Sequence, residues 1–235
     1  MEQEFEEFAN NTYRDCIEGT GVEQNQEISS ELHDRLIEFL NVFEIPDGFS
    51  DSIEHLIESR LIINSYINEL LRDNLPETYH DRVSDLNSVV MGVPNNTDSD
   101  LDFTIAIKSI DEQDEVGDIL QSLGFEYQGT LDEGIHQKYR GINWKYYIKY
   151  YEEVQIEVKL RDEDIVNDIL IGHRGIRDYL TDEQKLKISY IKSVLCGKVY
   201  KTFKYILYGA MFNGHENAII FRHYTENGYL LVVES

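Results

Sequence analysis

Apolar residues recur at helical spacing at Leu32, Leu36, Phe39, Leu40 and Phe43, which predicts a helix from about Ser30. Pro46-Asp47-Gly48 breaks it. Ahead of it, residues 1–27 are polar and acidic and read as a lead-in with a short helix at best. A second helix follows, with Asp51 or Ser52 as its cap and Ile53, Leu56, Ile57, Leu61, Ile62 and Ile63 as its apolar stripe. It runs to about Arg72, and Pro76 ends it. The pattern then turns strand-like, first in the short apolar run Val89-Val90-Met91 before Gly92. Leu101, Phe103, Ile105 and Ile107 next alternate with Asp100, Asp102, Thr104 and Ala106. A period of two over eight residues predicts a strand with one face in a core.

Ile119, Leu120 and Leu123 suggest a short helix closing at Gly124, followed by a strand-rich stretch. Trp144 to Tyr150 and Val154 to Leu160 read as a hairpin around Tyr151-Glu152-Glu153, a turn without glycine. Its second arm puts Val154, Ile156, Val158 and Leu160 on one face and Gln155, Glu157 and Lys159 on the other. Ile165, Ile169, Leu170 and Ile171 are helical again, and Gly172-His173-Arg174-Gly175 reads as a loop. Thr181-Asp182-Glu183-Gln184 is a capping-box signature for a helix reaching Gly197, and Tyr200, Phe203, Ile206 and Leu207 suggest one more. Residues 218–233 read as a terminal β-hairpin. The expected class is α/β (α+β): an acidic helical segment over 1–48, a strand-bearing core over 49–162, and a helical region with the hairpin over 163–235.

At 235 residues and 41% hydrophobic content the chain builds a real core and is not a disordered protein. No run of about 18 apolar residues occurs and the acidic start lacks a secretory pattern, so the expectation is a cytoplasmic protein with no membrane partner. Cys16 and Cys196 fit no metal spacing, and two sequons, at Asn10 and Asn95, read as chance matches. The net charge is −24, and residues 1–80 hold 19 acidic residues against Arg14, Arg35, Arg60 and Arg72. Such a field repels free nucleic acid and favours a small molecule or a basic protein as partner.

Chemistry concentrates in Met91-Gly92-Val93-Pro94-Asn95-Asn96-Thr97-Asp98-Ser99-Asp100-Leu101-Asp102-Phe103. Asp100 and Asp102 are two apart on a strand and share a face. Their repulsion is offset by a divalent cation, for which hard carboxylate oxygens are suited ligands. On repulsion alone, neutralising one of them stabilises the metal-free chain. Glu157, between Ile156 and Val158, has the chemistry and the strand pattern of a third ligand. An EF-hand reading of Asp98, Asp100 and Asp102 fails, because Phe103 and Ser109 stand where that loop needs Gly and Glu.

Over roughly residues 50–160 the chain resembles the nucleotidyltransferase superfamily that includes DNA polymerase beta. The resemblance is carried by Met91-Gly92, Asp100-Leu101-Asp102-Phe103 and Ile156-Glu157-Val158, in that order. It implies a small mixed β-sheet core with helical flanks, Mg2+ or Mn2+ held by Asp100, Asp102 and Glu157, and a nucleoside triphosphate as substrate. A nucleoside monophosphate would pass to a hydroxyl acceptor, with Gly92 allowing close phosphate approach. Two features depart from the family: Val93 stands where it has Gly or Ser, and the loop to Asp100 is short.

Lys185, Lys187, Lys192, Lys198, Lys201 and Lys204 cluster in an acidic chain. Lys201 and Lys204, three apart on a helix, are candidate triphosphate contacts, against the plainer reading of a solvated face. Tyr146 to Tyr151 are candidates for base stacking but fit sheet positions better. The charge points to a small-molecule or protein acceptor rather than free nucleic acid. The alternative is a non-enzymatic acidic binding protein, either an inactive nucleotidyltransferase fold or a nucleic-acid-mimic decoy.

Overall fold

In the computed structural model, the described residues are 25–95, 100–131 and 144–195, with scattered positions among 4–12 and 199–210. The chain forms two compact units: residues 51–170, and residues 1–50 together with 171–235. The fold is mixed α and β, with one five-stranded sheet among the described residues.

The sheet lies in the 51–170 unit. Its strands are β1 (Val83–Asp85), β2 (Leu101–Ile107), β3 (Glu126–Leu131), β4 (Trp144–Tyr151) and β5 (Val154–Asp162), in the order β1-β2-β5-β4-β3. β2 and β5 are parallel and every other pair is antiparallel. The alternation of β2 and β5 sends Leu101, Phe103, Ile105, Ile156, Val158 and Leu160 to one face, all fully buried. They share a core with Ile67 and Leu71 of the helix Phe49–Asn74 and with Val116 and Leu120 of the helix Ile110–Ser122. Each such side chain contributes about 1.5–3 kcal/mol on burial, so this apolar face fixes which way the polar residues of β2 and β5 point.

Local chemistry sets the element ends. Ser109 caps the helix Ile110–Ser122 by accepting from the Glu112 amide, and Glu112 accepts in return from the Lys108 amide at 2.7 Å. Gly124, at φ +84°, lets the chain reverse after that helix. The β4–β5 turn places Glu152 at φ +54°, a left-handed position taken here by a non-glycine residue.

Three expectations are corrected. Val89-Val90-Met91 is a buried turn, not a strand, and the strand at this edge is the three-residue β1. The Asn87 side chain accepts from the Val90 amide at 2.9 Å, so that turn is held by a side chain rather than by a ladder. His173 and its flanking glycines lie inside the helix Glu163–Tyr179, not in a loop. In the lead-in, Phe5 is buried and meets Phe39 and Phe203 edge-on and Phe8 at a tilt, so it belongs to the core of its unit. That unit also holds the helices Asn25–Val42 and Asp182–Val194, the second opened by the expected Thr181–Gln184 capping box. The proposed hairpin over 218–233 lies outside the described residues, as do Asp98, Cys16 and Cys196.

Candidate metal centre

Parallel register sets Asp102 of β2 directly opposite Glu157 of β5. Asp100, two residues before Asp102, enters the same face. Each of the three offers a carboxylate oxygen lying within 4.8 Å of the other two. Two ligands of one Mg2+ ion at about 2.1 Å lie at most about 4.2 Å apart. The three oxygens, within 4.8 Å of one another, would therefore have to draw in by about half an ångström or more to share one ion, and the hard oxygen donor set suits such an ion.

The carboxylates are not alone. Lys159, next on the same face of β5, donates to Asp102 Oδ1 at 2.6 Å and lies 3.0 Å from Glu157 Oε2. Glu157 Oε1 accepts from the Tyr146 hydroxyl at 2.8 Å and from the Gln155 amide at 2.6 Å. Tyr146 and Lys159 are register partners across β4 and β5, and the ammonium lies 5.9 Å from the ring centre. On β2, Thr104 is the register partner of Lys159, and its buried hydroxyl has no hydrogen-bond partner among the described residues.

The electrostatics follow from these neighbours. Burial first, then the charges of Asp102 and Glu157, push the Asp100 carboxyl from 3.8 up to about 6. Burial also works against ionised Asp102, but the Lys159 ammonium outweighs it and holds that carboxyl below its ordinary range. For Lys159, burial disfavours the charge, yet Asp102 and Glu157 prevail and raise its pKa. Burial and the hydrogen bond to Glu157 raise the Tyr146 hydroxyl, which stays a donor at neutral pH. The three carboxylates face the Lys159 ammonium, the Arg161 guanidinium also acts on Asp102 and Lys159, and Asp100 is the least compensated carboxylate.

Gly92 lies in the turn that follows β1, at φ +76°. The turn leaves the sheet beside the start of β2, since the Leu86 amide donates to the Asp102 carbonyl at 2.9 Å. It is braced by Asn87, which donates to Asn64 at 2.8 Å, while Asn64 and Asn68 both donate to Asp85. Lys201 and Lys204 lie outside the described residues. Two other members of the lysine cluster are engaged: Lys185 lies 3.7 Å from Asp182, and Lys187 donates to the Leu40 carbonyl. The tyrosines are sheet residues: Tyr147 is buried in the core, Tyr150 donates to Gln155, and Tyr151 packs on Tyr66.

The sequence pattern singles out neither Lys159 nor Gln155 as a site residue, and offers Tyr146 only for base stacking. The period-two pattern already put Gln155 and Lys159 on the Glu157 face; only the strand order reveals that Lys159 reaches Asp102. No protein-family model, curated protein or solved structure matches the chain.

Proposed function

We propose that the chain is a metal-dependent nucleotidyltransferase. The reaction is attack of an acceptor hydroxyl on the α-phosphorus of a nucleoside triphosphate. A new P–O bond forms, the bond to the bridging α–β oxygen breaks, pyrophosphate leaves, and the hydroxyl proton passes to a carboxylate or to solvent. The observation that carries this reading is the gathering of Asp100, Asp102 and Glu157 within 4.8 Å on one sheet face. A divalent ion bound there would neutralise charge that develops on the phosphate oxygens. Asp100 and Asp102 would hold Mg2+ or Mn2+, and the turn at Gly92 would admit a phosphate close to the backbone. The ordered resemblance of Met91-Gly92, Asp100-Leu101-Asp102 and Ile156-Glu157-Val158 supports the same reaction class.

The acceptor on this reading is a small molecule or a protein, a basic protein being suited to the acidic surface. A second reading, an inactive fold that binds a partner, is favoured by one observation: Lys159 already neutralises part of the acidic cluster. The deciding experiment offers α-labelled triphosphates with Mg2+ or Mn2+ and a set of acceptors. Metal-dependent pyrophosphate release that is lost in Asp102→Asn supports the enzyme; no release and no triphosphate binding would leave the second reading.

A further inference from the structure

Lys159 is placed as a metal ion would be, in contact with two carboxylates on neighbouring strands at 2.6 and 3.0 Å. Both oxygens of Glu157 are engaged by protein donors, Oε1 by Tyr146 and Gln155 and Oε2 by Lys159. A carboxylate so occupied offers little to a metal unless those bonds break. Asp100 differs. Among the described residues no side chain is seen donating to its carboxylate, which is left facing the charges of Asp102 and Glu157. One further polar group on this face lacks a partner. Thr104 leaves β2 on the same side as Asp100 and Asp102, is 1% exposed, and has an unpartnered hydroxyl among the described residues.

We infer that the Lys159 ammonium takes the place of a second cation, so that the site binds a single divalent ion through Asp100 and Asp102, while Glu157 anchors the lysine. The inference rests on the metal-dependent reading above and specifies its stoichiometry. Two ions in such a site lie about 3.5–4 Å apart and together bring four positive charges. Here the Lys159 ammonium already stands between Asp102 and Glu157, and the Arg161 guanidinium adds a further positive charge felt by Asp102, so a second ion would overcompensate the three carboxylates. The ammonium is tethered to β5, so the position between Asp102 and Glu157 stays filled without free metal.

The test is a Mn2+ titration of the full chain without nucleotide, followed by calorimetry and by the spin signal of free Mn2+. The expected result is one ion in the wild type and two in Lys159→Met. Glu157→Gln should keep one ion with affinity within about threefold of wild type, because the retained ligands are Asp100 and Asp102; each tenfold would correspond to about 1.4 kcal/mol. Thermal unfolding with and without Mn2+ gives a second readout, with a larger metal-induced rise in Tm for Lys159→Met than for wild type. Two ions in the wild type, one ion in both proteins, or a loss of more than tenfold in Glu157→Gln would each overturn the inference and leave the metal reading intact. No ion in the wild type would overturn both. Should Lys159→Met not fold, the wild-type count and Glu157→Gln decide the matter.

Discussion

Asp102 and Glu157 face each other across the one parallel strand pair of the described sheet, and the same ammonium holds both. Asp100 and Asp102, which look equivalent as two carboxylates one residue apart, are thereby driven in opposite directions. One is paired with Lys159 and ionises easily; the other is left with the repulsion and holds its proton longer.

Neutralising either aspartate should therefore have opposite effects on stability. Asp100→Asn removes a charge that burial and two carboxylates oppose, and should raise the stability of the metal-free protein at neutral pH. Asp102→Asn removes the partner of Lys159 and should lower it by about 2 kcal/mol, the scale of a hydrogen bond to a charged group. The simple repulsion argument, which stabilises both variants, thus holds for Asp100 alone. Urea unfolding in the presence of a chelator makes the comparison, and equal shifts in the two variants would contradict it.

The pH dependence has a defined sign. Folded Asp100 holds its proton up to about pH 6, whereas its ordinary value is 3.8. Between these values the folded state binds more protons than the unfolded one, so this group's contribution to stability is present at low pH and is lost as pH rises through about 6. Asp102, shifted down, contributes in the opposite sense, but its window lies below the ordinary carboxylate value. Metal-free protein should lose stability from about pH 4 to pH 6, and Asp100→Asn should flatten that fall. Metal binding requires the ionised form, so Mn2+ affinity should climb about tenfold per pH unit below pH 6 and then level. Titrations at about pH 5, 6 and 7 check this; an affinity independent of pH below 6 would remove Asp100 as a ligand.

Much of this arrangement was legible in the chain, for a physical reason. Strand β2 and the second arm of the β4–β5 hairpin alternate cleanly, and alternation fixes faces without any knowledge of neighbours. Asp100, Asp102, Glu157 and Lys159 were therefore each placed on a polar face. Which of them meet is a different kind of information. It depends on β5 inserting between β2 and β4 and on the Asp102–Glu157 register, both set by pairing over more than fifty residues of sequence. The misreadings are local. Val89-Val90-Met91 is apolar because it is buried, but its amide bonds go to Asn87 and the turn instead of to a ladder. Gly172 and Gly175 signalled a loop, but both sit within a helix, where Gly175 is buried.

A packing prediction isolates the support beneath β4. The Tyr147 hydroxyl lies where a side chain on Gly117 would begin, closer than any real Cβ contact. Gly117→Ala should gain about 1 kcal/mol of helix propensity but lose about 1–3 kcal/mol to overpacking, a net destabilisation. In a Tyr147→Phe background the obstructing oxygen is gone, and the same substitution should become neutral or stabilising. A double-mutant cycle by urea unfolding measures the coupling, and additivity would refute the contact.

The last prediction concerns the acceptor. A net charge of −24 opposes a polyanion, and salt reduces that repulsion only by screening it. A polynucleotide needs an extended basic track, because each neutralised phosphate releases counterions and adds to affinity. The lysines between Lys185 and Lys204 are the chain's one dense basic stretch, and of these Lys185 and Lys187 already lie beside Asp182 and Glu183. A triphosphate needs only a few cationic contacts, which one divalent ion and a lysine could supply. If the site is active, labelled triphosphates should therefore be transferred to a small hydroxyl compound or to a protein, and a basic protein should serve better than an acidic one. The assay supplies RNA, DNA, small alcohols and cell-extract proteins side by side, at low and at physiological salt. Efficient extension of RNA or DNA at physiological salt, with no partner protein added, would show that the charge argument has misjudged the acceptor.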